Sequence, residues 1–336
     1  MSAIDFGAAL PRPRTDIVPA LIPLLVAALA FPFIGSLSSF VTLTAAGLAM
    51  GMMIFTMASG LTLAFGMMDV LNFGHGAFIS LGAYVATLVL PPLVAWSQTD
   101  SLALDLGVLL LALAAAVVVC GAFGFVFERL IIAPVYGQHL KQILVTVGAS
   151  IVVEQLLYAL FGPDQIPVSP PAALRGSFLL GDAAIEKYRV FAAMVGLAVF
   201  IGQTLVLNRT RIGLLIRAGV ENREMVEAMG YRVDRLFVGV FMASAALAGL
   251  GGVLWGLYRE QVHASMGGEL LVLAFIVVIV GGLGSVGGCF TGAILVALIA
   301  NYAGFLAPKL ALASNILLMV VVLLWRPRGL YPVSGR

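Results

Sequence analysis

The chain has 336 residues, of which 62% are hydrophobic and only 10% are charged, and its mean hydropathy is +1.11. Soluble domains carry about 25% charged residues, because a surface in contact with water is built largely from them. The composition therefore excludes a soluble fold and indicates an integral membrane protein. The formal net charge is only +2 and the basic residues form no block, so no nucleic-acid partner is expected.

Apolar stretches follow one another along the chain, each near the roughly 20 residues that a helix needs to cross a bilayer. We predict an all-α polytopic bundle of about 8–10 transmembrane segments, forming a single domain over 17–326. The stretches are 17–34, 41–64, 73–95, 105–127, 141–161, 188–207, 236–257, a glycine-separated pair at 269–281 and 285–302, and 310–325.

The basic residues predict the orientation, because lysine and arginine stay on the cytoplasmic side of membrane helices. This rule places the tails 1–16 and 327–336 in the cytoplasm, together with the arginine-rich loop 208–235. With both ends on one side, the number of crossings is even, so the stretch 269–302 must cross twice or dip in and return. The first stretch resembles a signal peptide with a cleavage site at 28–30, but its apolar run continues, which favours a retained helix.

Two segments interrupt the apolar sequence with glycine and polar residues, one in each half of the chain. A broken helix leaves backbone groups that only protein or a watery cavity can satisfy inside a bilayer, and paired breaks point to a transport pathway. Tight helix packing is the alternative explanation for the glycines. A weak similarity between the halves raises the hypothesis of an internal repeat. The candidate pathway residues in these segments are Asn72, Gly74, His75, Gly76, Gly281, Gly282, Gly284 and Ser285.

Ionisable side chains inside a bilayer are costly, which makes them candidates for function. Glu154 lies near the middle of its stretch and is a further candidate pathway residue, with a structural hydrogen bond as the alternative. The sequence contains no Walker A loop, no nucleophile paired with a base and no metal-ligand spacing. We therefore predict a non-catalytic chain that itself holds no cofactor or metal.

The segment 217–231 of the arginine-rich loop is predicted to form a short amphipathic helix. A helix this short needs a surface to pack on, and a methionine-rich face suits docking onto another protein. Its glutamates argue against the alternative, a helix lying on anionic lipid. The apolar face comprises Met225, Ala228 and Met229, the charged edge Glu221, Glu224 and Glu227, and the C-terminal cap Gly230.

Three motifs in order resemble those of the branched-chain amino acid ABC transporter permeases. The stretch 60–76, GLTLAFGMMDVLNFGHG, followed by LGAY at 81–84, resembles the signature of one subfamily. The stretch 229–252 resembles the family's coupling loop and next helix, and 280–285 its GGxGS segment, so that the resemblance covers about residues 40–330. Many relatives have glutamate where this chain has Ala77, which leaves urea, short amides and other amino acids open as solutes.

The resemblance implies an importer subunit of the bacterial inner membrane that is not itself an enzyme. Its implied partners are a second permease subunit in a heterodimer, two ATP-binding cassette subunits that carry ATP and Mg²⁺, a periplasmic solute-binding protein, and membrane lipid. Closure of the cassettes would move the loop helix and bias the bundle between outward- and inward-open states. Replacing Glu224 or Gly230 is then expected to uncouple transport from ATP hydrolysis in a folded protein.

Two alternatives from other functional classes stay open at this point. A stand-alone secondary transporter needs ion-binding groups in the bundle, for which only Glu154 and His75 are candidates. A passive channel accounts for the glycine-rich segments but leaves the amphipathic loop helix unexplained. Co-purification with an ATPase separates both from the importer.

Overall fold

A computed structural model describes residues 18–93 and 102–331 of the chain. Seven helices in these ranges are long and apolar enough to cross a membrane, and three shorter helices are also apolar, as in a multi-pass membrane protein. The helices are α1 (Val18–Ile34), α2 (Leu37–Met68), α3 (His75–Val89), α4 (Leu102–Phe127), α5 (His139–Phe161), α6 (Lys187–Arg209), α7 (Arg211–Glu221), α8 (Arg223–Ala228), α9 (Val233–Arg259), α10 (Met266–Gly281), α11 (Val286–Leu306) and α12 (Ala311–Trp325).

The apolar stretches predicted from the sequence coincide with these helices to within a few residues, and the all-α bundle is confirmed. The stretch 269–302 forms two helices, α10 and α11, rather than one. They run antiparallel, because Gly281 lies against Gly288 while Val277 lies against Gly292. The tail 1–16, most of the 91–105 loop and the last residues 332–336 lie outside the described part of the chain.

Two long helices, α2 and α9, cross each other at the centre of the bundle. Gly60 of α2 lies against Ser244 of α9, and Gly251 of α9 lies against Met57 of α2, so the two helices run antiparallel. Glycine permits this approach because it has no Cβ. In a bilayer, close packing of this kind replaces the hydrophobic effect as the force that holds helices together.

Each central helix carries a further long helix along its other side. Gly51 of α2 faces Ile294 of α11, and Gly124 of α4 faces Ala245 of α9. The short helix α3 packs along α9, the short helix α10 packs along α2, and the two short helices contact each other. The arrangement around α2 is therefore repeated in the opposite direction around α9, which supports the hypothesis of an internal repeat.

One end of the bundle, which we call the docking end, gathers residues 66–69, 128–139, 208–232, 282–285 and 326–331. Asp69 lies 3.7 Å from His139 at the start of α5, and Gly66 packs on Gly284. Glu128 lies close enough to Asp234 to be affected by its charge, which places the α4–α5 turn beside the arginine-rich loop. Within the described residues, the arginine-rich loop and residues 327–331, which the positive-inside rule assigns to the cytoplasm, thus lie at the same end.

The opposite end, which we call the strand end, carries the short strands. β1 (Ile166–Pro167) pairs antiparallel with β4 (Gln261–Val262), and β2 (Ser177–Leu180) pairs with β3 (Ala183–Glu186). The proline-rich loop 162–187, which holds three of these strands, lies at the opposite end of the bundle from the arginine-rich loop.

Candidate functional site

A connector of six residues, 69–74, returns from the end of α2 into the middle of the bundle. Asp69 ends α2 in the left-handed conformation, with φ 55°. His75, the first residue of α3, donates from Nε2 to the backbone carbonyl of Met57 at 2.9 Å. Met57 lies about three turns, or about 16 Å, before the end of α2. The helix α3 therefore begins deep inside the bundle rather than at its edge.

The connector is held against α4 and α5. The backbone N–H of Phe73 donates to Oγ1 of Thr146 at 3.2 Å, and Gly74 fits between the ring of Phe127 and the carbonyl of Thr146. The side chain of Asn72 is fully buried, and among the described residues neither its oxygen nor its nitrogen has a hydrogen-bond partner. An unpaired buried amide costs free energy, so Asn72 still has hydrogen bonds to offer to water or a solute.

The connector between α9 and α10, residues 260–265, has the same geometry. Glu260 also has a φ of 55°. The backbone N–H of His75 bonds to the carbonyl of Asn72 at 3.3 Å, and that of Met266 bonds to the carbonyl of His263 at 3.2 Å. The counterpart of the first connector is therefore 260–265, and not the glycine-rich segment 281–288 with which the sequence suggested a pairing.

The two connectors bring the first turns of α3 and α10 into contact. Gly76 lies directly against the backbone of Gly267. The hydroxyl of Ser80 donates to the carbonyl of Ala264 at 2.7 Å and accepts from the N–H of Gly267 at 2.9 Å. Short helices that begin inside a bundle, at the interface of two repeats, are the arrangement in which transporters hold a solute near the middle of the membrane.

A cavity of about 40 Å³ lies at this contact, between α3, α5 and α10. Glu154 of α5 is half-buried and lines it, as do Gly76, Ser80 and Ser150. No hydrogen bond or ion pair holds the Glu154 carboxylate within the described ranges. Two predicted pathway residues, Gly76 and Glu154, are thus brought together although they lie far apart in the sequence. The remaining lining residues are Phe73, Ala77, Leu157, Ala264, Gly268 and Leu271.

The glycine segment 281–285 has a different environment, because the C-terminal residues of the chain fold back onto it. The N–H of Leu330 donates to the carbonyl of Val280, and that of Tyr331 donates to the carbonyl of Gly281, both at 2.9 Å. Gly282, with φ 105°, lies against the carbonyl of Tyr331. This contact leaves no space for a side chain at Gly282. It agrees with tight packing, which was the alternative explanation for the glycines of this segment.

The rest of this segment forms the turn into α11. The hydroxyl of Ser285 caps that helix by accepting from the N–H of Gly288 at 3.0 Å, and Gly284 packs on Gly66. The four predicted pathway residues of this segment therefore have a structural function at the docking end; they are Gly281, Gly282, Gly284 and Ser285. Their part in a pathway stays a prediction.

The arginine-rich loop folds into two helices, α7 and α8, where one helix over 217–231 was predicted. The chain changes direction at Asn222, whose Oδ1 accepts from the N–H of Met225 at 2.9 Å and thereby caps α8. Asparagine is among the preferred N-cap residues, so the sequence carried the signal for this break. Gly230 has a φ of 88° just after α8, which agrees with its predicted capping position.

The methionine face of α8 points away from the bundle. Met225 and Met229 are 63% and 68% exposed, whereas Val226 between them is buried against the rest of the protein. Ala228 is exposed, as are Glu221, Glu224 and Glu227. The loop therefore presents two apolar side chains on an exposed surface, while the buried side chain of Val226 attaches it to the rest of the protein.

An ion-pair network holds α8 to the start of α9. Arg223 donates to Glu227 at 2.9 Å and to Asp234 at 2.6 Å. The hydrogen bond to Glu227, followed by the charge of Asp234, raises the pKa of Arg223, so the guanidinium stays charged. A displacement of α8 would therefore act on α9, one of the two central helices.

Sequence reasoning missed Ser80, Thr146 and Gly267, which hold the starts of α3 and α10 in place. A usable signal was the repeated spacing of an acidic residue and a glycine, Asp69 to Gly76 and Glu260 to Gly267. Within the described ranges, no group of three histidine, cysteine, aspartate or glutamate residues is placed to hold a metal ion. The absence of a cofactor stays a prediction.

The chain is similar in sequence to several permeases. It is 28% identical to the high-affinity branched-chain amino acid transport system permease protein BraD of Pseudomonas aeruginosa, over 84% of this chain and 93% of that protein. It is 25% identical to LivH of Escherichia coli K12, a permease protein of the same kind of system, over 84% of this chain and 92% of that protein. It is 26% identical to LivM of Salmonella typhimurium, over 94% of this chain and 75% of that protein.

No solved structure matches the chain significantly. A model of one protein family, described as the permease component of branched-chain amino acid transport systems, matches residues 43–325. This range contains both connectors, the cavity and the exposed loop. Because the match covers most of the chain, the protein belongs to the family of branched-chain amino acid transport system permease components.

Proposed function

We propose that this chain is the membrane-spanning permease subunit of an ATP-driven importer and that its solute is a branched-chain or similarly hydrophobic amino acid. The observation that carries the proposal is the near full-length similarity to permeases of branched-chain amino acid transport systems. The resemblance of the motifs at 60–76 and 280–285 supports the same assignment. The chain itself carries out no catalysis in this scheme.

The exposed loop supports the docking of ATP-hydrolysing subunits. Met225 and Met229 form an apolar surface at the docking end, and Arg223 connects the helix that bears them to α9. Adaptable methionine side chains suit a contact with another protein. Closure of the ATPase subunits then moves α8 and, through α9, the start of α10 beside the cavity.

A second permease subunit is supported by the exposed sides of α5 and α6. In an apolar 18-residue stretch of each helix, only 17% of the residues of α5 and 22% of those of α6 are buried by the rest of the described chain. LivM, to which the chain is also similar, is named as a permease protein of the same kind of system as LivH. We propose a heterodimer in which a related subunit covers part of this surface and lipid covers the rest. A periplasmic solute-binding protein delivers the amino acid at the strand end.

The docking end is the cytoplasmic end in this proposal. It carries the arginines of the loop 208–235 and those that follow α12, as the positive-inside rule requires. Both ends of the chain then lie in the cytoplasm of a bacterial inner-membrane protein. The cavity beside Glu154 lies between this end and the strand end.

Purification from the native membrane, with mass spectrometry of the chains that accompany it, tests the partners. Two ATPase subunits and a second permease are expected. The purified complex in vesicles, supplied with ATP and its binding protein, should accumulate leucine, isoleucine or valine, whereas competition by urea or short amides would assign another solute. Uptake by this chain alone, driven by a proton or sodium gradient, would contradict the importer, and passive equilibration would indicate a channel.

A further inference from the structure

We infer that Glu154 and the cavity beside it bind the α-ammonium group of the amino acid during its passage through the membrane. This inference rests on the proposed function and adds a specific contact to it. The cavity lies where α3, α5 and α10 meet and where both re-entrant connectors end. Similarity to other permeases does not by itself assign a role to this carboxylate.

The Glu154 carboxylate lies deep in the bundle and has no cationic partner among the described residues. It lies within α5, about 10 Å along the helix from Phe161 at the strand end. A carboxylate at such a depth is costly unless it is paired, and in the described part of the chain no arginine, lysine or histidine contacts it. A cationic group that arrives from the strand end would provide the missing partner.

The hydroxyl groups around the cavity are arranged to accept hydrogen bonds. Ser80 uses its hydrogen to reach the carbonyl of Ala264, and Ser150 uses its hydrogen to reach the carbonyl of Val147 at 2.8 Å. Ser80 also accepts from the N–H of Gly267, which leaves one lone pair of its oxygen for a ligand, whereas Ser150 accepts no hydrogen bond within the described ranges. Together with the Glu154 carboxylate they match the three N–H donors of a primary ammonium group and repel an anion.

The other residues that line the cavity favour an ammonium group over a metal ion as the ligand. Ca²⁺ and Mg²⁺ need about six oxygen ligands, usually with more than one carboxylate, and Glu154 is the one charged residue among the described lining residues. Phe73, Leu157 and Leu271 make the other walls apolar. This combination suits the head of an amino acid whose side chain is hydrophobic.

The volume of the cavity limits the size of the group that it can bind. A volume of about 40 Å³ holds two or three waters or one ammonium group, and it is too small for a whole amino acid. The solute side chain therefore stays outside, along the exposed face of α5 that we assign to the second permease subunit. The site binds only the head group, which leaves the side chain to other contacts and favours release.

Uptake by the complete complex tests the inference. Glu154→Gln keeps the shape of the side chain and removes its charge, so we expect the maximal rate of leucine uptake to fall at least tenfold. Glu154→Asp should retain part of the rate. Gln155→Ala, at the exposed neighbouring position, is the control and should leave uptake unchanged. Equal assembly with the partner subunits and equal ATP hydrolysis without binding protein show that the variants are folded.

A second measurement detects the contact itself. Dicyclohexylcarbodiimide modifies carboxyl groups inside membranes, and mass spectrometry locates the adduct. Leucine delivered by the binding protein should protect Glu154, whereas 4-methylpentanoate, which lacks the ammonium group, should not. Labelling of Glu128, buried at the docking end, should not depend on leucine.

Wild-type uptake of leucine by Glu154→Gln, or labelling of Glu154 that leucine does not alter, would contradict the inference and leave the proposed function intact. Vesicles of the unaltered complex that accumulate no amino acid would contradict the proposed function, and the inference with it.

Discussion

Gly76 and Gly267 touch through their backbones at the centre of the molecule. A Cβ added at Gly76 would lie 2.6 Å from the carbonyl oxygen of Gly267. A backbone carbonyl cannot turn aside as a flexible side chain does, so a methyl group there must push α3 and α10 apart. Gly268, one residue further along α10, has open space beside it.

Gly76→Ala is therefore expected to destabilise the protein by about 1–3 kcal/mol, the usual cost of overpacking. The matched control is Gly268→Ala, which should leave stability unchanged or raise it slightly, because alanine favours a helix more than glycine does. Thermal unfolding in detergent, followed by tryptophan fluorescence, measures both. Equal melting temperatures for the two variants would contradict the close contact.

At the level of single residues, the sequence identified Asn72, His75 and Glu154 because polar groups are rare in apolar stretches. It did not predict that Gly76 and Glu154 line one cavity. Their proximity depends on how far the connector 69–74 returns along α2, and that distance is determined by tertiary hydrogen bonds such as the one from His75 to Met57. Periodicity along the chain carries no information on such bonds.

The short helix α8 presents two exposed methionines to whatever covers the docking end. Replacing both, as Met225→Glu and Met229→Glu, should strongly reduce the amount of ATPase subunit that co-purifies, because carboxylates would be buried without partners. Leu179→Glu is the control, since Leu179 is 77% exposed at the strand end. If the double variant retains its ATPase subunits, α8 is not their docking surface.

The C-terminal segment 326–331 acts as a cover for the turn between α10 and α11. Truncation after Arg326 removes the hydrogen bonds from Leu330 and Tyr331 to the end of α10. It also removes the side chain of Leu330, which is only 1% exposed, and thereby uncovers the apolar residues around it. We expect this variant to unfold at a temperature several degrees lower. Truncation after Tyr331 preserves every one of these bonds and should unfold as the full chain does. The same melting temperature for both truncations would contradict the covering function.

At the level of elements, apolar stretches of about 20 residues predicted the helices well, because a bilayer leaves few alternatives for a backbone. The division of 217–231 into α7 and α8 was missed because amphipathic periodicity was given more weight than the capping residue Asn222. The covering of 281–285 could not be predicted, since hydrogen bonds between backbone atoms join Leu330 to Val280. Side-chain patterns do not reveal such a contact.

Considered as a whole, the molecule consists of two similar halves that run in opposite directions around α2 and α9. The resemblance lies in backbone geometry, with Asp69 and Glu260 in the same left-handed conformation, whereas the side chains that follow differ. The sequence therefore indicated a repeat, but the segment that it suggested as the counterpart of the first connector was wrong. Glycine content directed attention to 281–288, and the shared backbone geometry places the match at 260–268.

The two ends of the bundle predict which positions share a membrane face. Single cysteines at Leu140 and Leu283, exposed at the docking end, should react with a membrane-impermeant maleimide only after the inner membrane is opened. Cysteines at Leu179 and Leu310, exposed at the strand end, should react in intact spheroplasts. The native Cys120 and Cys289 are buried and should give little background. The reverse labelling pattern would invert the proposed orientation.

The back-folded C-terminal segment also has a consequence for biosynthesis. Leu330 and Tyr331 supply backbone hydrogen bonds to Val280 and Gly281, and they are synthesised 50 residues later than the residues they bind. The hairpin of α10 and α11 can enter the membrane earlier, but it cannot acquire its final contacts until residues 330 and 331 have left the ribosome. The closing step for this half of the protein therefore follows insertion of the hairpin, and ribosome stalling before residue 330 should leave the hairpin sensitive to protease.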